Sequence, residues 1–580
     1  MLRRSARRLD ISNIKWYPRP LAAPEYGRNI IEDGLWNKAM AFDLVERDRL
    51  GLRGLLPPSV RTLDEQVEVC LNHIRSQPNA VAKNIYLQGL HNRNETLFHR
   101  VLLDHIEEVA PLVYTPTVGV ACQKFGYAFR QPRGMFFSTQ DRGYMSTMVH
   151  NWPRDDVHVI VVTDGSRILG LGDLGANGMG IPIGKLALYC ALGGIAPHRV
   201  LPVMLDVGTN NQKLLDDPGY IGMRHKRLQG NEYFDMVDEF MTAVVARWPE
   251  ATIQFEDFET PKAVPLLAKY RNKFRCFNDD MQGTGAVTVG ALLSAARIAD
   301  TPISDLRVVC CGGGSAGQGV SASVIDAMVR AGLTQEEAKR RIVIVTNRGA
   351  IGKADGKHGN PHAGSELWDQ WHNDTVPDGT PLEDVFAMHE PNCLLGLTGV
   401  GGIFTESVIT KFGKYAPRPI IMPMSNPTSN AECTAEQAYH WTEGRAIVAT
   451  GSPFAPVEYK GKTLVPSQCN NMYVFPGIGL AGSVGGTQRF TDQMFYSAAQ
   501  ASTACISDEE IDQGRVFPHV RKIRQVSHDV AVAVLKEGQA QLLNPKINKH
   551  HLREGWDALV SRKMYYPQYV PLYSEKPLRN

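Results

Sequence analysis

Short apolar runs in the middle of the chain predict buried, parallel β-strands. The run at 157–163 ends in a glycine turn, and the runs at 251–255 and 274–277 each lead into a pair of acidic residues. Apolar runs without regular polar alternation are typical of strands that are covered on both faces. An α/β domain is therefore predicted to begin near residue 157.

The pattern differs at the two ends of the chain. Up to about residue 130 the sequence is helix-rich, with Arg and Glu interspersed among apolar positions. This predicts a helical N-terminal domain. The segment 541–580 is rich in Trp and Tyr, which indicates an arm that packs on another part of the protein.

The clearest fold signal is a glycine-rich turn between a strand and a helix. The apolar run at 306–311 leads into Gly312-x-Gly314-x-x-Gly317 and then into a helical stretch at 320–329. Gly312 permits a tight turn, Gly314 lets the backbone approach a pyrophosphate, and Gly317 lets the helix lie close to the strand. Further strands of this Rossmann-like, dinucleotide-binding domain are predicted at 341–346, 392–398, 419–424 and 446–450.

The second strand of this domain ends without the acid that usually binds an NAD ribose. Thr346 stands at that position, followed by Asn347 and Arg348. An acid would repel a 2′-phosphate, whereas Thr, Asn and Arg can hydrogen-bond or pair with one. NADP is therefore the predicted cofactor. The alternative is an Arg348 that faces solvent, in an enzyme that uses either cofactor.

Two acidic pairs form the densest cluster of candidate functional residues in the chain. Glu256-Asp257 and Asp279-Asp280 each follow a predicted buried strand. Buried acids repel one another unless a cation lies between them. Because no His or Cys accompanies them, the predicted ion is Mg²⁺ or Mn²⁺. The alternative is a set of helix N-caps and surface salt bridges.

Lys185 is a candidate base. Pro182 and Gly184 indicate the start of a helix, so Lys185 is expected in a glycine-dense loop near a helix N-terminus. There the helix dipole and a nearby metal would both disfavour the charged ammonium. The alternative is a surface lysine. Tyr114 lies in an apolar turn and, taken alone, is expected in the core.

Composition narrows the class of protein. The 580 residues include 62 basic and 60 acidic ones, so no charge excess favours nucleic-acid binding. No apolar run approaches the roughly 18 residues of a membrane-spanning helix. Ten Cys without paired spacing favour reduced thiols. These features fit a large, water-soluble enzyme with about three to five domains.

The N-terminus is basic. Arg3, Arg4, Arg7 and Arg8 precede the first acid, Asp10. Residues 1–9 therefore resemble a short mitochondrial transit segment, which predicts the mitochondrial matrix. The alternative is a disordered basic tail on a cytoplasmic protein.

Several longer motifs lie at 114–119, 164–173, 255–258, 277–284, 425–428, 432–436, 451–454 and 470–477. Together they resemble the large-subunit malic enzymes, from about residue 20 to 570. The resemblance implies oxidative decarboxylation of (S)-malate to pyruvate and CO₂, with reduction of NADP⁺ or NAD⁺ and with a divalent metal. The sequence departs from the family where Thr346, Asn347 and Arg348 replace more usual residues.

The resemblance implies a role for each candidate site residue. The implied catalytic residues are Lys185 as general base, Asp279 as the acid that orients it, and Tyr114 as general acid. The implied metal ligands are Glu256, Asp257 and Asp280, and the implied malate contacts are Arg167, Asn426 and Asn471. The predicted cofactor contacts are Gly312, Gly314, Ser315, Ala316, Gly317, Thr346, Asn347, Arg348 and Asn426, with Lys353, Lys357 and His362 as candidate helpers.

The implied architecture is an α/β multidomain protein. A helical N-terminal domain (1–130) precedes a substrate domain split into 131–281 and 469–540, around an inserted Rossmann-like domain (282–468), and an arm (541–580) follows. The resemblance implies a homotetramer arranged as a dimer of dimers, with a dimer as the alternative. Arg93 matches a stretch that some relatives use for regulation, but one Arg does not establish it.

Two other functions are compatible with part of the pattern. A metal-assisted hydroxyacid dehydrogenase would stop at the keto acid and would give Tyr114 no role as a proton donor. A non-catalytic scaffold would keep the fold and lose the site. The completeness of the site favours the malic enzyme interpretation over both.

Overall fold

Helices fill the N-terminal part of the computed structural model, which describes residues 20–573. Two of them begin at capping boxes: Thr62 accepts the N–H of Glu65 and Glu65 accepts the N–H of Thr62, and Asp43 pairs with Glu46 in the same way. The predicted helical N-terminal region is confirmed. Its helices are Arg28–Glu32, Leu44–Arg49, Leu63–Ser76, Ala80–Arg93, Glu95–Asp104, Ile106–Val113, Thr117–Gln123 and Phe125–Ala128.

A parallel, five-stranded sheet follows. Its central strand, Val159–Thr163, is buried throughout and pairs with a strand on each side. In spatial order the strands are Met135–Ser138, Val200–Asp206, Val159–Thr163, Thr252–Phe255 and Cys276–Asn278. The helices that follow or connect these strands are Met145–Met148, Gly180–Ala191, Gln212–Asp216, Gly230–Arg247 and Thr260–Tyr270. The three apolar runs predicted in this region are all strands.

A seven-stranded sheet contains the glycine-rich turn. In spatial order its strands are Ser467–Gln468, Ile447–Thr450, Ile420–Pro423, Cys393–Gly396, Val308–Cys311, Ile342–Thr346 and Gly349–Ala350. All pairs are parallel except the last. The direction of strand addition reverses between Val308–Cys311 and Cys393–Gly396. Ligands of open α/β sheets bind in the crevice at such a point.

Gly312 and Gly317 are each needed in the turn for a different structural reason. Gly312 has φ 127°, a conformation that favours glycine, and a Cβ there would lie 2.4 Å from the carbonyl oxygen of Leu397. A Cβ on Gly317 would lie 1.8 Å from the carbonyl oxygen of Gly312. The helix Ser315–Arg330 therefore starts against the strand. The Rossmann-like fold predicted from this motif is confirmed.

Shorter elements surround the seven-stranded sheet. Its helices include Gln335–Arg340, Glu366–Trp371, Leu382–His389, Glu406–Phe412 and Ala435–Trp441. Two small strand pairs lie beside it, Gly352–Lys353 with Asn373–Pro377 and Val457–Tyr459 with Lys462–Leu464.

The chain after residue 469 returns to the five-stranded sheet. The His158 ring and the Ser483 hydroxyl lie 2.5 Å apart, and Arg275 donates to the carbonyl of Gly486 at 2.7 Å. These contacts are consistent with a substrate domain split into two segments, whose boundaries stay a prediction. The helix Thr284–Ile298 connects the two sheets, and the helices that follow the seven-stranded sheet in the chain are Phe475–Gly485, Asp492–Thr503, Asp508–Asp512 and Ile523–Ala540.

The C-terminal arm packs on the N-terminal helices. After the helix Trp556–Lys563, the strand Leu572–Tyr573 pairs in parallel with Leu21–Ala22. Asn94 donates to the Tyr569 hydroxyl at 2.7 Å. Among the described helices, none combines the length and the apolar character that crossing a membrane requires. The basic segment 1–9 lies outside the described residues.

Candidate active site

The two acidic pairs meet at one edge of the five-stranded sheet. Thr252–Phe255 and Cys276–Asn278 are neighbouring parallel strands, so the residues that follow them lie side by side. Carboxylate oxygens of Glu256, Asp257 and Asp280 all lie within 4.8 Å of one another. Asp280 Oδ2 also accepts the N–H of Asp257 at 2.8 Å. The structure thus brings together the three predicted metal ligands.

Asp257 is held in a strained backbone conformation. Its φ is 58°, in the left-handed region that non-glycine residues rarely occupy. Its carbonyl accepts the N–H of Arg167 at 3.1 Å, and its Oδ1 accepts the N–H of Leu169 at 3.1 Å. The loop that contains Arg167 therefore fixes the direction of this carboxylate. Strain of about 1–3 kcal/mol at such a position is common at functional sites.

The acid cluster fits a hard divalent cation. Burial, followed by repulsion from Asp280, raises the pKa of Asp257 well above its ordinary value, and burial likewise raises the pKa of Asp280. Asp257 Oδ2 is buried and has no hydrogen-bond partner among residues 20–573. An all-oxygen donor set of three carboxylates is the chemistry that Mg²⁺ and Mn²⁺ prefer. The residues present therefore fit the metal that the sequence predicted.

Lys185 lies near the N-terminus of a helix, as predicted, but within the helix itself and not in a glycine-dense loop. The helix Gly180–Ala191 has Lys185 in its second turn and buries it to 1% exposure. Pro182 is tolerated near the N-terminus, where its missing N–H would have no helical partner. Gly184 allows close packing, since a Cβ there would lie 2.8 Å from the carbonyl oxygen of Val113.

The Lys185 ammonium is stabilised by acids. It donates to Asp279 Oδ2 and lies 2.9 Å from Glu256 Oε1. Burial opposes its charge, but the attraction of Asp279, Glu256 and Tyr114 raises the pKa of Lys185 well above its ordinary value. In the protein alone the ammonium is therefore favoured, contrary to the expectation from the helix dipole. Asp279, which the family resemblance implies as the acid that orients the base, is thus in contact with Lys185.

Tyr114 lies beside this ion pair. It follows the helix Ile106–Val113, is 6% exposed, and has its ring centre 5.3 Å from Lys185 Nζ. Burial raises the pKa of its hydroxyl far above the ordinary value, so Tyr114 keeps its proton at neutral pH. Tyr114 is buried, as expected of a core residue, but it also lies on the wall of the cleft, which was not expected from the residue alone.

Asn471 connects the ion pair to a neighbouring hydroxyl. Its amide donates to Asp279 Oδ2 at 2.9 Å and to Thr284 Oγ1 at 3.0 Å. Asp279 Oδ1 is buried and finds no hydrogen-bond partner in the described part of the chain. One oxygen of Asp279, Oδ2, thus accepts hydrogen bonds from both Lys185 and Asn471, and these bonds fix the carboxylate.

Arg167 and Asn426 come from different parts of the chain and line the same cleft. Arg167 donates to the Ser315 hydroxyl at 3.0 Å, which links it to the helix after the glycine-rich turn. Asn426 accepts from the Ser452 hydroxyl at 2.6 Å, and its carbonyl accepts the N–H of Gly170 at 3.0 Å. Both are positioned by contacts with neighbouring loops.

Two clefts meet at this point. One, of about 310 Å³, contains the acids, Lys185 and Tyr114. A second, of about 890 Å³, lies over the glycine-rich turn. Arg167, Leu397 and Thr398 line both, so the clefts are continuous. Ser315 and Ala316 line the smaller cleft, and Gly312, Gly314, Thr346, Asn347 and Arg348 line the larger one. Gly317 is among the lining residues of neither, in keeping with its packing role.

The rim of the larger cleft carries the residues predicted to bind a 2′-phosphate. Asn347 and Arg348 are exposed, and the Arg348 guanidinium donates to the carbonyl of Pro361 at 3.1 Å. Among the candidate helpers, Lys353 and Lys357 are exposed residues that do not line this cleft. His362 is 1% exposed, and its Nε2 is within hydrogen-bond distance of the Thr346 hydroxyl.

Glu432 is a site residue to which the sequence gave no role. It is fully buried, and its Oε1 accepts the N–H of Thr398 at 2.9 Å, the Thr398 hydroxyl at 2.7 Å and the Ser425 hydroxyl at 2.5 Å. It therefore ties together the ends of two strands that line the smaller cleft. Its place as the first residue of the motif 432–436 is the signal that could have identified it.

Comparison with known proteins agrees with this geometry. Residues 91–271 match the family model of the malic enzyme N-terminal domain, and residues 281–539 match that of the malic enzyme NAD-binding domain. The chain is 45% identical to the NADP-dependent malic enzyme of Dictyostelium discoideum, over 92% of this chain and 96% of that enzyme. The chain belongs to the malic enzyme family.

Other malic enzymes extend the comparison. The mitochondrial NAD-dependent malic enzyme 2 of Arabidopsis thaliana is 43% identical, over 96% of this chain and 95% of that enzyme. A crystal structure of Entamoeba histolytica malic enzyme has a TM-score of 0.56 at 20% identity, over 88% of this chain and 90% of that one, and supports the fold. The malic enzyme interpretation of the sequence is confirmed. Because relatives of both cofactor types are about equally similar, NADP use stays a prediction.

Proposed function

We propose that the protein oxidatively decarboxylates (S)-malate to pyruvate and CO₂, with reduction of NADP⁺ and with Mg²⁺ or Mn²⁺ bound by Glu256, Asp257 and Asp280. One observation carries the proposal. Lys185, in contact with Asp279 and 2.9 Å from Glu256, lies in a cleft that continues into the glycine-rich turn. A base, a metal site and a dinucleotide crevice therefore adjoin.

Arg167 and two amides would hold the substrate. Malate is a dianion, and Arg167 is the cation on the wall shared by the two clefts. Its guanidinium would pair with the C1 carboxylate, and Asn426 and Asn471 would donate hydrogen bonds to the substrate. When bound, the divalent cation would polarise the C2 oxygen and NADP⁺ would accept hydride from C2.

Lys185 would take the C2 hydroxyl proton. A lysine acts as a base only when neutral, and a cation bound by Glu256 would oppose the charge on Nζ that this carboxylate otherwise favours. Asp279 and Asn471 fix the position of the amine, because Lys185 and Asn471 both donate to Asp279 Oδ2. They are proposed to orient Lys185 and to tune its proton affinity.

Tyr114 would donate a proton to C3 after CO₂ has left. Its raised pKa keeps the hydroxyl protonated, and its ring lies 5.3 Å from Lys185 Nζ. A buried phenol beside a lysine can pass its proton to carbon and be reprotonated through the amine. This role separates the proposed reaction from that of a dehydrogenase that stops at the keto acid.

The preference for NADP over NAD rests on the rim of the larger cleft. Asn347 and Arg348 are exposed there, and no acid follows the second strand at Thr346. A 2′-phosphate would accept hydrogen bonds from both side chains. A location in the mitochondrial matrix is proposed from the four arginines of residues 1–9, and a homotetramer from the family resemblance. Organelle import and the mass of the assembly in solution test these two points.

The test measures pyruvate and reduced cofactor together, with (S)-malate and Mn²⁺ and with NADP⁺ or NAD⁺. We expect pyruvate to form in step with NADPH and faster than with NAD⁺. Lys185→Met should abolish turnover, because it keeps the length of the side chain and removes the amine. Lys262→Met is the matched control, since Lys262 is also buried but lies outside both clefts.

Each other outcome contradicts a different part of the proposal. Accumulation of oxaloacetate without pyruvate would identify a dehydrogenase and remove the role of Tyr114. Equal use of NAD⁺ would overturn the cofactor preference alone. Absence of turnover with both cofactors would indicate a scaffold.

A further inference from the structure

His362 forms a buried chain of hydrogen bonds behind the cofactor cleft. Its Nδ1 lies 2.8 Å from Asp378 Oδ1, and its Nε2 lies 2.7 Å from the Thr346 hydroxyl. His362 and Asp378 are 1% and 0% exposed. Thr346 itself lines the larger cleft, at the end of the second strand. The chain therefore runs from a buried carboxylate to the place where the cofactor ribose would lie.

The direction of each hydrogen bond follows from Asp378. Burial opposes its charge, but the N–H groups of His362 and Gly352 and the His362 ring hold the pKa of Asp378 below its ordinary value. An ionised carboxylate only accepts, so His362 Nδ1 carries a proton and donates it. When His362 is neutral, its Nε2 has a lone pair and accepts the hydroxyl proton of Thr346.

The Thr346 hydroxyl has one proton to donate. If His362 Nε2 accepts it, the Thr346 oxygen offers only lone pairs, one of which accepts the N–H of Arg348 at 3.0 Å. Such an oxygen matches a ribose 2′-hydroxyl, which can donate. It repels a 2′-phosphate, which at neutral pH is mainly an acceptor.

We propose that His362 takes up a proton when NADP⁺ binds, and that this proton reverses the hydrogen bond to Thr346. The proton comes from solvent and binds Nε2, which then donates to the Thr346 oxygen. The Thr346 hydroxyl is freed to donate to the 2′-phosphate. NAD⁺ binds with His362 neutral, so His362 is a specificity-determining residue that never contacts the cofactor. The inference rests on the proposed use of NADP.

Charged and titratable groups surround this chain. Asp378 bonds to the ring, and the Arg348 guanidinium bonds to the carbonyl of Pro361 beside it. His358 packs near Gly379, and the carbonyl of Lys353 accepts the N–H of Asp378. Asp378 is the anion in direct contact with His362, so it would stabilise the added proton.

The experiment is calorimetric titration of the full-length enzyme with NADP⁺ and with NAD⁺ at pH 8, in two buffers of different ionisation enthalpy. The difference between buffers gives the number of protons taken up. At this pH a free 2′-phosphate is already almost fully ionised, because its second pKa is about 6. We expect uptake approaching one proton with NADP⁺ and about none with NAD⁺.

Variants identify the proton acceptor. His362→Leu should abolish the uptake and, because Thr346 is then free to donate at pH 8, raise NADP⁺ affinity relative to NAD⁺ about tenfold. If that variant does not fold, Thr346→Val should abolish the uptake by removing the hydroxyl. His372→Leu is the control, since His372 is an exposed imidazole on a neighbouring helix end, and it should keep the uptake.

The outcomes separate this inference from the cofactor preference. NADP⁺ binding with no proton uptake, or with uptake that persists in His362→Leu, would overturn the inference and leave the NADP preference standing. Absence of NADP⁺ binding, with normal NAD⁺ binding, would overturn both.

Discussion

Replacement of Glu432 should weaken the site through loss of buried hydrogen bonds. Its carboxylate touches neither cleft, yet it accepts two hydrogen bonds from Thr398 and one from the Ser425 hydroxyl. Thr398 and Ser425 both line the smaller cleft, and Asn426 follows Ser425 directly. Glu432→Ala removes the acceptor of these three donors and of the more distant Ser425 N–H at 3.4 Å, and Glu432→Gln keeps one oxygen and removes the charge.

The magnitude follows from these three bonds. A buried donor that is left without an acceptor costs about 1–3 kcal/mol. Hydroxyl groups can rotate, and the Thr398 hydroxyl has the carbonyl of Val400 at 3.4 Å as a second acceptor. The Thr398 N–H cannot turn away. We therefore expect Glu432→Ala to lower the free energy of unfolding by about 3–5 kcal/mol and Glu432→Gln by about 1–2 kcal/mol.

Thermal and urea unfolding, followed by fluorescence, measure the loss of stability. Glu436→Ala is the matched control, because Glu436 is an exposed carboxylate on the adjoining helix, and we expect a change within about 0.5 kcal/mol. Folded Glu432→Gln should also lose about tenfold in kcat/KM, since Asn426 loses its fixed position. A Glu432→Ala protein as stable as Glu436→Ala would refute the reasoning.

Two further predictions concern the acids and a buried imidazole. Asp257→Asn should weaken Mn²⁺ binding at least about tenfold, because it removes the charge of one ligand; calorimetric titration with Mn²⁺ measures this, and unchanged affinity would exclude Asp257 as a ligand. Burial lowers the pKa of His99 to about 3 in the folded protein. The unfolded chain, with a His pKa of about 6.5, therefore gains a proton first as the pH falls, so stability is present above pH 6.5 and is lost progressively between about pH 6.5 and 3. By pH 5 this amounts to about 2 kcal/mol. His99→Phe should reduce the fall in unfolding midpoint between pH 7.5 and pH 5, and an unchanged fall would contradict the assignment.

Local sequence pattern was sufficient to predict the sheets. The apolar runs at 306–311 and 341–346 are the strands Val308–Cys311 and Ile342–Thr346, because a parallel strand that is covered on both faces must be apolar throughout. The acidic pairs were predicted to lie at strand ends, and both do. Which strands are neighbours depends on long-range pairing, and no short motif specifies it.

The parts of the site that depend on contacts across the fold were less predictable. Pro182 and Gly184 indicated a helix start near Lys185, and the helix Gly180–Ala191 confirms it, but the glycine-dense loop expected around Lys185 is itself part of that helix. The contact of Lys185 with Asp279 was implied only by family resemblance. The hydrogen bonds of Glu432 and of His362 join residues whose proximity is set by the tertiary structure, so the sequence gave no indication of their partners.

Arg167 belongs to both clefts and donates to Ser315 at the first turn of the helix after the glycine-rich turn. Arg167, which would pair with the malate carboxylate, is thus hydrogen-bonded to the helix that would bind the cofactor phosphates. The two binding free energies are therefore linked. If a bound dinucleotide strengthens malate binding by some free energy, bound malate must strengthen dinucleotide binding by the same amount. Loss of the Ser315 hydroxyl would then weaken this coupling while leaving the Arg167 guanidinium in the cleft.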